Sequence, residues 1–201
     1  MNRIGSLFAV LLMLSSQSAL ADHHEASGFA RYSSTIGMSP FGGSLNFGYN
    51  SSAKTSWIFT FGGSPEMEGP FKPEIDGTEY TPTGSSSWMG FFLNHRPFEG
   101  TQWFRLIAGL GIGHIEMELD DGQGNRYKAE YRESPVAYVG FGFGLEPKEG
   151  FIWGLDFGLL QTAGPIIVPL EGQGDQLEAI GDNWMFGTLL PNVQLSLGWG
   201  F

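Results

Sequence analysis

The chain has no cysteine. That excludes disulfides, a thiolate nucleophile and a thiolate metal site, and it leaves no anchor residue for a lipoprotein. Basic residues are scarce: ten Lys and Arg stand against twenty-one Asp and Glu, a net charge of -11. So few cations disfavour nucleic acid, whose phosphates need Lys and Arg. Long apolar runs are missing as well. Beyond residue 21 no stretch approaches the roughly 20 apolar residues of a membrane-spanning helix.

The start reads as an export leader. Arg3 supplies the positive end, residues 7–14 the apolar stretch, and Ala19-Leu20-Ala21 a small-x-small cleavage pattern. The expected division is a cleaved signal peptide at 1–21, a short segment at 22–27 and one folded domain at 28–201. Cleavage there exposes Asp22-His23-His24, whose amine, amides and imidazole suit Cu(II) or Ni(II). Three residues arise often by chance, so no resident metal or cofactor is expected.

What the chain does have is glycine, 31 of 201 residues, and phenylalanine, 17. Its hydrophobic period is two. At the C-terminus Val193, Leu195, Leu197, Trp199 and Phe201 alternate with Asn192, Gln194, Ser196, Gly198 and Gly200. Leu106, Ala108, Leu110 and Ile112 alternate in the same way with glycines, as do Val139, Phe141 and Phe143, and Phe151, Trp153 and Leu155. Eight strands follow, at 28–38, 41–50, 54–63, 85–95, 102–117, 132–145, 151–164 and 188–201.

An apolar face opposite a small or polar face fits a barrel in lipid, apolar side out. The expected fold is all-β, an eight-stranded antiparallel transmembrane up-and-down barrel. Connection lengths support it. Short turns at 51–53, 97–100 and 147–150 alternate with long polar connections at 64–84, 118–131 and 165–187, as short periplasmic turns alternate with external loops. Only the external turn at Ser39-Pro40 breaks the rule. A short helix is expected at 175–180. Trp88, Trp103, Trp153, Trp184 and Trp199 are expected in the interfacial aromatic girdles.

Several stretches carry a family resemblance: Asp76-Gly77-Thr78-Glu79-Tyr80, His95-Arg96-Pro97-Phe98, and Phe104-Arg105-Leu106 followed by Ala108-Gly109. Pro135-Val136-Ala137-Tyr138-Val139-Gly140-Phe141-Gly142, Gly154-Leu155-Asp156-Phe157-Gly158 and the close at 191–201 complete them, with a fainter match at 42–49. Through these the chain resembles a family of small proteobacterial outer-membrane barrels that includes the ornithine (basic amino acid) uptake porins of the CarO type. The resemblance implies the outer membrane, a narrow uptake pore and no enzymatic activity. It also marks Trp199 and Phe201, closing an apolar-faced last strand, as the signal read by the barrel-assembly machinery.

The charged candidates for the lumen are Arg31, Arg105 and Asp156. They can line a polar pathway in which Asp156 attracts a cation, or close into an Arg105–Asp156 pair, since buried charges are normally paired. Inward glycines are expected to leave space near the later strands. Outside, Glu66, Glu68, Glu116, Glu118, Asp120, Asp121, Glu171 and Asp175 form an acidic mouth. It either concentrates small cationic solutes or is a solvated surface bridging lipopolysaccharide through divalent ions. A closed structural or surface-interaction barrel is the rival reading. A lipid A-modifying enzyme is the third; His114 and Glu116 share a face at the outer boundary, but no serine lies at the matching spacing.

Overall fold

The computed structural model describes residues 28–69, 72–132, 135–172 and 174–201. The leader, the segment at 22–27 with Asp22-His23-His24, and Glu133 lie outside the described residues. The strands are β1 Tyr32–Ser39, β2 Gly42–Asn50, β3 Thr55–Glu68, β4 Glu74–Ile75, β5 Thr78–Glu79, β6 Thr81–His95, β7 Phe104–Asp120, β8 Arg126–Tyr131, β9 Val136–Gly144, β10 Gly150–Gln161, β11 Ile166–Glu171 and β12 Leu189–Gly200. Among the described residues one short helix, α1, spans Leu177–Asp182 and a 3-10 turn follows at Trp184–Phe186.

Eight of these strands close a ring. Its order is β1-β2-β3-β6-β7-β9-β10-β12, with β12 pairing back onto β1 and every pairing antiparallel. The closing seam extends past the strand ends, because the Tyr32 and Phe201 backbones exchange hydrogen bonds of 2.8 and 2.9 Å. The alternation read from the sequence fixes which side faces out. Ile36, Leu45, Phe47, Val139, Val193 and Leu195 are all exposed on the outer face. A belt of that size is tolerable only against lipid chains. The chain is a transmembrane β-barrel.

The outer end departs from the expected loops. β3, β6 and β7 run 14, 15 and 17 residues, well beyond the roughly 9–11 that a tilted membrane strand needs. The overhang of β7 pairs with β8, and β8 pairs with β11. A second, two-stranded hairpin, β4 with β5, turns on Asp76 and Gly77, both at positive φ. Asp-Gly is the residue pair such a turn requires.

These pieces enclose a hydrophobic core outside the barrel: Ile75, Tyr80, Leu119, Tyr127, Ala129, Ile180 and Phe186. Burial pushes the Tyr80 phenol above its usual pKa, as a dry interior demands. The long connections are therefore a folded cap and not merely a solvated surface. The strand expected at 132–145 begins only at Val136, and 126–131 forms a strand of its own.

Phe186 is fully buried in that core. Phe186→Ala is expected to cost the cap about 3–5 kcal/mol and leave the barrel standing. Hydrogen exchange checks this: amides at 163–188 should lose protection while those of β1, β2 and β12 keep it.

Candidate functional site: the barrel lumen

The inward face of the barrel has two unlike walls. On β1, β2, β3 and β12 it carries short polar side chains, among them Thr35, Asn46, Thr60, Asn192 and Ser196. Several are braced to neighbours: Asn46 Nδ2 donates to Thr35 Oγ1 at 3.0 Å, and Ser196 Oγ donates to the Gly154 carbonyl at 3.3 Å. The Asn46 and Asn192 side-chain oxygens are buried without a protein partner. A buried amide oxygen of that kind calls for water or solute.

The opposite wall carries glycines, four large side chains and aliphatic residues such as Ile107 and Ile152. Arg105 on β7, Gly142 on β9 and Asp156 on β10 lie in one row across three adjacent strands. The Arg105 side chain crosses the bare Gly142 and meets Asp156 Oδ1 through Nε at 3.0 Å and through NH2 at 2.7 Å. Gly144 and Gly154 flank the guanidinium, with no side chain to block it. The ion pair therefore lies flat along the wall over β9, bridging staves two apart instead of crossing the diameter.

Three aromatics repeat the device. The Trp88 ring lies over Gly62 with Gly113 beside its Cβ, Phe92 lies over Gly90 and Gly109, and Tyr138 over Gly140 and Gly158. Phe92 and Tyr138 meet edge to face at 5.5 Å. Trp88 is thus an inward residue, not part of the girdle, and its Nε1 donates to the Phe41 carbonyl at 3.0 Å. The inward glycines near the later strands do not stand as open space themselves: Gly109, Gly140, Gly142, Gly144, Gly154 and Gly158 are covered by larger neighbours, and the free volume lies beyond those side chains. Trp103, Trp153 and Trp199 do lie on the exposed outer face, while Trp184 sits in the cap.

Between the two walls remains a cavity of about 420 Å³. Its lining runs from Leu145 and Pro147 at the end holding the short turns to Thr162, Pro165 and Ile166 at the capped end.

Arg105 and Asp156 are brought together as a pair. Arg31 precedes β1, is not in the cavity lining, and has its guanidinium 5.8 Å from the Phe29 ring centroid. A lumen cation that sequence reasoning missed is Arg96. It is 4% exposed, donates through Nε to the Gln102 carbonyl and through NH2 to the Leu145 carbonyl, each at 2.9 Å, and keeps NH1 unpaired. It lies just past a strand end, and nothing in its local sequence turns it inward. Among the charges of Arg96, Arg105 and Asp156 the lumen carries one positive excess.

The acidic mouth divides. Glu116 pairs with Lys128 at 2.7 Å, and Arg126 bridges Glu118 at 2.6 Å and Glu171 at 3.2 Å. Asp120 and Asp121 accept from the backbone of their own turn. The Asn125 side chain, hydrogen-bonded to Asp121, holds that carboxyl below the usual carboxylate range. Glu66, Glu68 and Asp175 stay exposed. His114 Nε2 faces Glu116 Oε2 at 3.3 Å. Ser87 is the cross-strand partner of His114, but no hydrogen bond joins the two, so a nucleophile–base contact is not formed.

No protein-family model matches the chain, and no curated protein matches it. Among the solved structures similar to it are two crystal structures from one organism. The crystal structure of Acinetobacter baumannii CarO is 13% identical over 84% of this chain and 97% of its own, with a TM-score of 0.66. That of Acinetobacter baumannii CarO2 is 12% identical over 86% of this chain and 99% of its own, with a TM-score of 0.67. At such identities the likeness is one of fold, and it agrees with the CarO-type resemblance read from the sequence.

Proposed function

We propose that the chain is a non-enzymatic outer-membrane barrel that passes small polar solutes through its lumen. The observation that carries this reading is the arrangement of Arg105, Trp88, Phe92 and Tyr138. An eight-stranded barrel is about narrow enough to be filled by side chains. Here four large ones are laid against glycine floors, which keeps a cavity of mixed polar and apolar lining along the axis. Standing upright, those four side chains would fill a barrel this narrow; laid over glycine they leave room beside them.

The solute class follows from charge. Exposed Glu66, Glu68 and Asp175 attract cations to the outer end, whereas Arg96 gives the interior its positive excess. A solute with both an ammonium and a carboxylate, of amino acid type, suits both regions; basic amino acids are cationic members of that class. Lipopolysaccharide bridged by divalent ions around the exposed carboxylates and recognition of Trp199 and Phe201 by the assembly machinery belong to the same proposal.

The test is solute flux into liposomes carrying refolded protein. Zwitterionic and basic amino acids should enter faster than a disaccharide. Equal rates in loaded and empty liposomes, from protein shown to be folded, would leave the closed structural barrel.

A further inference from the structure

The rim where the barrel meets the cap carries an arrangement that the pore does not use. His114 and Glu116 stand two residues apart on β7 and share its outer face; Glu130 on β8 is the direct cross-strand partner of Glu116. Two carboxylates placed opposite each other in a ladder repel and destabilise it. The structure answers with two cations, each holding the far oxygen of one carboxylate. Lys128 takes Glu116 Oε1 at 2.7 Å and Arg132 takes Glu130 Oε2 at 2.9 Å. The near oxygens are left facing one imidazole nitrogen, with His114 Nε2 at 3.3 Å from Glu116 Oε2 and 3.7 Å from Glu130 Oε1.

We propose that His114, Glu116 and Glu130 form a binding site for a divalent transition-metal ion of the Zn²⁺ type. All three ligand atoms lie within 4.8 Å of one another, and their side chains are partly buried. Zinc holds nitrogen and carboxylate oxygen at about 2.0–2.2 Å, so ligand atoms in a tetrahedral site are roughly 3.3–3.5 Å apart. The two separations from the imidazole nitrogen, 3.3 and 3.7 Å, lie close to that edge. An ion between them draws the two carboxylate oxygens, which lie within 4.8 Å of each other, onto one centre and replaces their repulsion with attraction. Lys128 and Arg132 act as outer partners that fix carboxylate orientation. Three protein ligands leave the fourth position to water. The bound ion would tie β7 to β8 at the root of the cap.

The test is calorimetric titration of the full refolded protein with Zn²⁺, with Co²⁺ absorption as a reporter of nitrogen and oxygen ligation. Every protein carries His24→Ala, which removes the rival N-terminal chelate. One equivalent of Zn²⁺ should bind, and His114→Ala and Glu130→Gln should each weaken it at least roughly tenfold. Unchanged far-ultraviolet dichroism confirms that the variants are folded. No binding by the folded parent, or equal binding by folded His114→Ala, overturns the site.

Discussion

Asp156→Asn is expected to lower the passage of cationic solutes relative to anionic ones, and Arg105→Gln to raise it. In the native lumen Arg105 and Asp156 cancel, which leaves Arg96 in excess. Removing Asp156 doubles the positive charge, and removing Arg105 frees a carboxylate beside the path. A unit charge about 9 Å from a solute is worth up to roughly 2 kcal/mol at an effective dielectric constant near 20. About 1.4 kcal/mol is tenfold, so passage of a cation should change by up to roughly thirtyfold and that of an anion in the other sense. This moves the selectivity ratio in opposite directions in the two variants, read as the reversal potential across a salt gradient.

The same substitutions have a cost in stability. Each leaves one buried charge without its partner, worth about 3–5 kcal/mol. The double variant Arg105→Gln/Asp156→Asn should recover much of that loss in urea titrations. If both single variants shifted selectivity in the same direction, Arg105 and Asp156 would not be the groups that set it.

The second large effect is expected at Gly142, where no charge changes. A Cβ there overlaps Asp156 Oδ1 and comes within 3.1 Å of Arg105 Nε. Gly142→Val suits a strand in backbone terms, since this glycine is not at positive φ. It has to push the ion pair off the wall and into the lumen. Conductance should fall to near the bilayer background while the barrel still folds. Gly43→Ala is the control: its Cβ meets nothing nearer than 3.9 Å, and it should conduct as the parent does. A Gly142→Val barrel that conducts normally would refute the account of the glycine floors.

The barrel was legible because its signal is local. Alternation such as that at 193–201 states which face is apolar without knowledge of any partner strand. The Arg105–Asp156 pair was legible for a related reason, since lone charges on inward faces have few partners. The row through Gly142 was not, because it depends on the register of β7 against β9 and β10. Trp88 was misplaced through composition: tryptophan is commonest at interfaces, yet its parity on β6 turns it inward, where Gly62 and Gly113 accept it.

The cap was hidden by its charge. Arg126, Lys128 and Glu130 mark the segment as a polar loop, but Tyr127, Ala129 and Tyr131 alternate with them and face inward. Glu130 reads in the sequence as one more acid of an external loop for the same reason. Only the pairing of β7 with β8 carries it to His114.

The most direct measurement of the central claim is the conductance of refolded protein in a planar lipid bilayer. An axial cavity kept open by side chains lying over glycine predicts small, discrete steps in salt solution, reduced when amino acids are present. A bilayer that stays silent after verified insertion of folded barrels would contradict it.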